Sequence, residues 1–180
     1  MPIISFYGAR ARTGRTTAAV AIARGLAKLG RRVTLVEISQ RDITLEQWFA
    51  GFDHDLLGSG SLDFHHCESS DGLDSLLRLS PPDDRHVIIF DTDHLPSRVR
   101  IRAFEMADAV IMPFRCFEDA DIGIASASSQ LPTSTHLSGL SVGAPTHLSK
   151  QVANWMPLIK PGLPLDERLT LHLPLQSHSD

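Results

Sequence analysis

The sequence predicts an α/β fold, a doubly wound and mostly parallel sheet with helices on both faces. Three observations carry this prediction. Apolar runs of strand length, among them Arg32–Ile38 and Val87 to Phe90, alternate along the chain with segments of helical periodicity. The strand runs are apolar at successive positions rather than at every second one, as expected of strands covered on both faces. The first apolar stretch leads through a short loop straight into a helix that opens Gly14-Arg15-Thr16-Thr17, the setting in which backbone N–H groups cradle phosphate.

Ile3 and Ile4 open a first strand. Residues 5–17 then follow the Walker A pattern in part, with Gly8 beside the first glycine position (occupied by Ala9), Arg15 at the lysine position and Thr16 where a magnesium-ligating hydroxyl belongs. Arginine keeps the charge and forks onto phosphate, but it is bulkier and planar. Residues 16–29 read as a small-residue helix closed by Gly30 at C′. Arg32–Ile38 completes a βαβ unit, whose right-handed crossover implies a parallel pair. Residues 44–49 suit a short helix with Thr44 and Gln47 at capping-box spacing. Residues 51–72 read as an excursion with a short strand near 62–64, and residues 73–79 as a helix stopped by Pro81-Pro82. Residues 83–91 approach through polar positions, run through four large apolar residues and end on Asp91, the shape of a Walker B strand that delivers a carboxylate to magnesium. A helix over 97–107 carries Arg98, Arg100 and Arg102, with Arg98 and Arg102 on one face. A strand over 107–114 and a partly acidic helix over 117–125 follow. Beyond these the expectations are a loop over 130–138, strands over 140–142 and 168–174, and an amphipathic helix over 146–159.

The 180 residues suit one domain, 1–180, with 42% hydrophobic and 21% charged residues as in soluble globular proteins. A net charge of −4 excludes a general polyanion binder, so DNA contact requires a local basic patch; Arg10, Arg12, Arg15, Arg24, Arg31 and Arg32 are concentrated early. Cys67 and Cys116 lack metal-ligand spacing and are too few for a disulfide framework, and His65-His66 has no third ligand nearby. Neither a signal peptide nor a membrane-spanning segment is visible, so a cytoplasmic location is expected.

Arg10-Ala11-Arg12-Thr13-Gly14-Arg15-Thr16-Thr17 resembles the deviant Walker A loop of the ParA/MinD family of P-loop ATPases, Lys-Gly-Gly-Val-Gly-Lys-Thr-Thr, with arginine at both lysine positions. Ile88-Ile89-Phe90-Asp91-Thr92 resembles the family's Ile-Ile-Ile-Asp-Thr, and Ala107-Asp108 through Pro113 its Ala-Asp-x-Val-Ile-x-Pro strand. The resemblance implies ATP and magnesium held by residues 11–17, with Thr16 and Asp91 on the metal, Arg15 on the β and γ phosphates, and Pro113 near the base or the partner subunit. It implies a homodimer in which Arg10 reaches into the opposite subunit, and a protein partner of the partition or positioning type, with DNA as a further partner. The family's Asp-x-Asp-Pro-Gln is here Glu37-Ile38-Ser39-Gln40-Arg41, with Ser39 at the aspartate that positions the attacking water. Serine does not replace that carboxylate, and Asp42 is offset, so weak or absent hydrolysis is expected. The chain is shorter than usual for the family, which normally continues into further helices.

Three readings stand side by side. One is a ParA/MinD-like switch in DNA segregation or intracellular positioning. The second is a pseudo-ATPase interaction module that binds a protein or nucleic-acid partner without nucleotide, because side chains at Ala11 and Arg12 crowd the surface that phosphate approaches and make left-handed conformations costly there. The third is a small-molecule P-loop kinase or ligase, for which no lid with catalytic arginines is recognisable.

Overall fold

The computed structural model describes residues 1–39, 45, 60–80, 83–94, 97–132, 135, 137–142 and 171–173. Strands β1 (Ile3–Phe6), β2 (Arg32–Ile38), β3 (Leu62–His66), β4 (His86–Thr92), β5 (Ala109–Phe114), β6 (Leu137–Val142) and β7 (Leu171–Leu173) form one sheet in the order β3-β2-β4-β1-β5-β6-β7. Every pairing in it is parallel. Between the strands lie helices α1 (Arg15–Lys28), α2 (Ser70–Leu79), α3 (Arg98–Met106) and α4 (Phe117–Gln130).

The βαβ unit of β1, α1 and β2 is present, but its strands are not neighbours, because β4 lies between them. All seven residues of β4 are buried, which suits this strand with its apolar run Val87 to Phe90 to the sheet centre, while β2, partly exposed at Arg32 and Glu37, lies outside it. Alternation along each strand divides the core. Val33, Leu35, Val87, Ile89 and Phe6 face α1 through Ala19, Ala23 and Ala27, whose small side chains allow close approach. Val36, Ile88 and Phe90 face α2 and α3 through Leu73, Val99 and Ala103. Val110, Met112 and Phe114 face α4 through Ala120, Ile124 and Ala127.

Helix ends follow local chemistry. The α1 chain reverses through Gly30 at φ 78°, with the Gly30 N–H on the Ala27 carbonyl at 2.9 Å and the Arg31 N–H on the Leu26 carbonyl at 3.0 Å, a Schellman closure. Ser69 and Ser97 cap α2 and α3 by accepting from the Gly72 and Arg100 N–H groups. The Ser69 cap starts α2 at Ser70, earlier than the apolar spacing from Leu73 indicates. Likewise β3 extends to His66, and β6 begins at Leu137 inside the expected loop, because pairing with β2 and β5 sets their lengths rather than their own composition. The expected helices over 44–49 and 146–159 lie outside the described residues, apart from a buried Leu45.

Candidate functional site

The sheet brings the sequence motifs together at the carboxyl ends of β1, β4 and β2. Phe6, the last residue of β1, stands opposite Asp91 of β4. On the other side of β4, Glu37 of β2 stands opposite the same aspartate. The strand order runs outward in opposite senses from β1 toward β2 and toward β5, so this is a switch point of the sheet, where a crevice opens.

From Phe6 the chain passes through buried Tyr7 and Gly8, emerges at exposed Arg10, Ala11 and Arg12, and re-enters at buried Thr13 before Gly14 caps α1. Arg12 adopts a left-handed φ of 63°, the strain anticipated at positions 11 and 12, and it falls on Arg12 rather than on Ala11. Gly14 has a φ of 91°, and a Cβ there would come within 3.2 Å of Val142 on β6. Both its backbone angle and its neighbour therefore demand glycine.

Arg15 is turned inward and only 9% exposed. Its Nη1 donates to the Thr92 carbonyl at 2.7 Å, and its stem crosses Gly8 so closely that a Cβ on that glycine would lie 2.6 Å from the Arg15 Cδ. The next residue makes the second tie, the Thr16 hydroxyl donating to Asp91 Oδ2 at 2.8 Å. A third tie runs from the Thr92 hydroxyl to the Phe6 carbonyl at 2.6 Å. Loop and strand end are thus bonded directly to each other.

Burial pushes the Asp91 carboxyl up to about 6; the Thr16 hydroxyl and the Arg15 charge oppose the rise, while Glu37 and Asp93 add to it. This is a concentration of buried negative charge beside a hydroxyl, a donor set that suits a hard divalent cation such as magnesium. Thr16, Asp91, Asp93, Glu37, Ser39 and Arg15 border a cleft of about 50 Å³, room for a few water-sized groups. Among the described residues no three His, Cys, Asp or Glu side chains are arranged to hold a metal by themselves, so a cation here would complete its shell from outside the protein.

The remaining predicted residues are spread more widely. Thr17 is exposed on the first turn of α1. Ser39 is 9% exposed and its hydroxyl donates to Glu37 Oε1 at 3.3 Å, while Glu37 Oε2 accepts the Leu45 N–H at 2.7 Å. Asp42 lies outside the described residues. Arg10 is half exposed, its Nη1 3.6 Å from Asp119 on α4 of the same chain. Pro113 is buried on β5, separated from Asp91 by β1 and in register with Leu140. A larger groove of about 540 Å³ under α2, bordered by Arg32, His86, Cys67 and Leu76, contains none of the predicted site residues.

Sequence reasoning missed Arg100. It is 2% exposed, and its Nη1 and Nη2 donate to the carbonyls of His94 at 2.9 Å and Gly8 at 3.2 Å. The signal was its phase: Arg100 falls three and four residues before Ala103 and Phe104, the buried stripe of α3.

No protein-family model and no curated protein sequence matches the chain. Solved structures do. A ParA family ATPase from Chlorobium tepidum TLS superposes with a TM-score of 0.63 at 14% identity, over 98% of this chain and 85% of that one. The MinC:MinD cell division protein complex of Aquifex aeolicus gives 0.59 at 15% identity, over 89% and 78%. The septum site-determining protein MinD complexed with Mg-ADP from Pyrococcus horikoshii OT3 gives 0.53 at 16% identity, over 84% and 76%. The chain therefore has the ParA/MinD fold.

Proposed function

We propose that this protein is a ParA/MinD-like nucleotide switch acting in DNA segregation or intracellular positioning, with weak or absent ATP hydrolysis. The observation that carries the reading is the bond between Thr16 and Asp91, which joins the hydroxyl of the loop to the carboxylate of the strand at a switch point of the sheet. Thr16 and Asp91 would hold magnesium, Arg15 and the N–H groups at the start of α1 the phosphates. When bound, magnesium supplies charge neutralisation for the phosphates and for the crowded carboxylates. Ser39 leaves no carboxylate at the water-positioning place, and its hydroxyl is engaged with Glu37, so the chain's own residues support binding better than turnover.

In this reading two subunits meet across the nucleotide and Arg10 crosses to the partner. Its present ion pair with Asp119 is long, 3.6 Å, and half exposed on the arginine side, the kind that is worth little and yields readily. A protein partner fits this reading, with DNA as a further partner: of the early arginines Arg15 is buried, Arg10, Arg31 and Arg32 are engaged within the chain, and Arg12 is exposed on the loop. Among the described residues no helix is long and apolar enough to cross a membrane.

A second reading, an interaction module without nucleotide, is favoured by the inward fold of Arg15, whose stem fills the concave side of the loop over Gly8. Calorimetric titration with a non-hydrolysable ATP analogue and magnesium, run with light scattering, separates the two. The switch predicts binding that needs magnesium and is lost in Thr16→Ala, together with a doubling of mass. Absence of heat in the wild type would leave the interaction module.

A further inference from the structure

We propose that Arg100 is a positioning residue that binds the loop after β1 and the segment after β4 into a single unit, so that neither moves without the other. The proposal rests on the nucleotide-switch reading for its purpose, though not for its geometry.

Arg100 is an expensive choice for its place. It lies on the inward stripe of α3 with Ala103 and Phe104, where an apolar side chain of similar volume would fill the core without desolvating a charge. Burial accordingly pulls its pKa down, with Tyr7 and Asp93 acting against the fall. What the guanidinium provides is a rigid fork. One arm reaches the His94 carbonyl at 2.9 Å and the other the Gly8 carbonyl at 3.2 Å. Its Cζ lies 5.1 Å from the centre of the Tyr7 ring and 5.3 Å from that of Phe104, two rings whose centres are themselves 5.5 Å apart, so the guanidinium rests on one side of this aromatic pair. A lysine in the same place has a single flexible head and no plane for the rings to hold.

The two carbonyls belong to different segments. Gly8 begins the loop that leads to Arg15 and Thr16; His94 lies three residues beyond Asp91. Arg15 already grips the same pair from the other side, with its stem over Gly8 and its Nη1 on the Thr92 carbonyl. Residues 92–94 are therefore held by two arginines rooted on different helices, and both arginines touch Gly8. A displacement of the 92–94 segment pulls on Gly8 through Arg100 and shifts the fork in α3.

The test is amide hydrogen exchange on the nucleotide-free protein. In Arg100→Lys, exchange over residues 8–14 and over residues 92–94 is expected to rise together by at least tenfold, with β2 and β5 unchanged. Phe104→Leu, which removes one of the two rings against the fork together with its contact to Tyr7, is expected to give the same paired rise to a lesser degree, and if Arg100→Lys does not fold the rise over residues 92–94 in this variant decides the matter. Arg98→Ala, exposed on the same helix, serves as the unaffected control. A rise in only one segment, in neither, or spread evenly through α3 and β5 overturns the coupling. Titration of the wild type with Mg-ADP keeps the two ideas apart: no binding removes the switch reading and leaves the exchange result standing. If Mg-ADP binds, Arg100→Lys should weaken it about tenfold while Arg98→Ala does not.

Discussion

Asp91 is flanked in register by Glu37 and followed by Asp93, and burial raises its pKa from 3.8 to about 6. A carboxyl whose folded pKa exceeds its unfolded one binds its proton more tightly in the native state, so its contribution is largest at low pH and lost as pH rises. Between about pH 4 and pH 6 the Asp91 contribution should fall by about 3 kcal/mol and then stay level. Asp91→Asn keeps an acceptor for Thr16 without the charge. It should flatten this slope and stabilise the nucleotide-free protein at pH 7.5 by about 1–3 kcal/mol, measured by urea unfolding across pH, while abolishing magnesium-dependent binding. Equal pH profiles in the two proteins would show that Asp91 carries no such burden. At Arg15 the inward geometry adds a stability role to the phosphate role. Arg15→Ala removes a buried, charge-assisted bond to Thr92 and should cost about 2 kcal/mol even without ligand. A loss within about 0.5 kcal/mol would mean that the contact is incidental.

The loop between β1 and α1 stores its strain in one residue. Arg12, at φ 63°, carries a side chain in a conformation that favours glycine, so Arg12→Gly should stabilise the protein by about 1 kcal/mol. Gly14→Ala should do the opposite and more strongly, about 2 kcal/mol or above, since a φ of 91° is joined by a 3.2 Å approach to Val142. Thermal unfolding of the pair checks both signs; a stabilising Gly14→Ala would mean that β6 yields to the added methyl. For α3, the charged residues Arg98, Arg100 and Arg102 look equivalent in sequence, yet helix phase sends only Arg100 into the core. Arg102 instead meets Asp74 of α2 at 3.1 Å on the surface.

At the scale of the whole molecule, the proposed switch requires a second subunit across the crevice. Arg10 stands at the exposed turn of the loop, its Nη1 3.6 Å from Asp119 and its own side chain half exposed, so it is available to a partner at small cost. With a non-hydrolysable ATP analogue and magnesium, light scattering should report a dimer for the wild type and a monomer for Arg10→Ala. A monomer in both, despite saturated nucleotide, would remove the cross-subunit role. The central position of β4 gives this arrangement its stiffness: a fully buried strand paired on both sides holds Asp91 in place beside the loop.

The sequence by itself determined the alternation of strands and helices and the end of α1 at Gly30, because local spacing, glycine placement and apolar runs are local physics. Thr16 and Asp91 were legible as a pair through the Walker A and Walker B patterns and the family resemblance that joins them. Only the tertiary structure decided that β4 separates β1 from β2, that Ser69 rather than Leu73 sets the start of α2, that Arg15 folds inward over Gly8 and that Arg100 is buried. Strand order depends on competition among all the strands for the centre of the sheet, and the burial of an arginine depends on carbonyls and rings contributed by segments remote in sequence, neither of which a local pattern records.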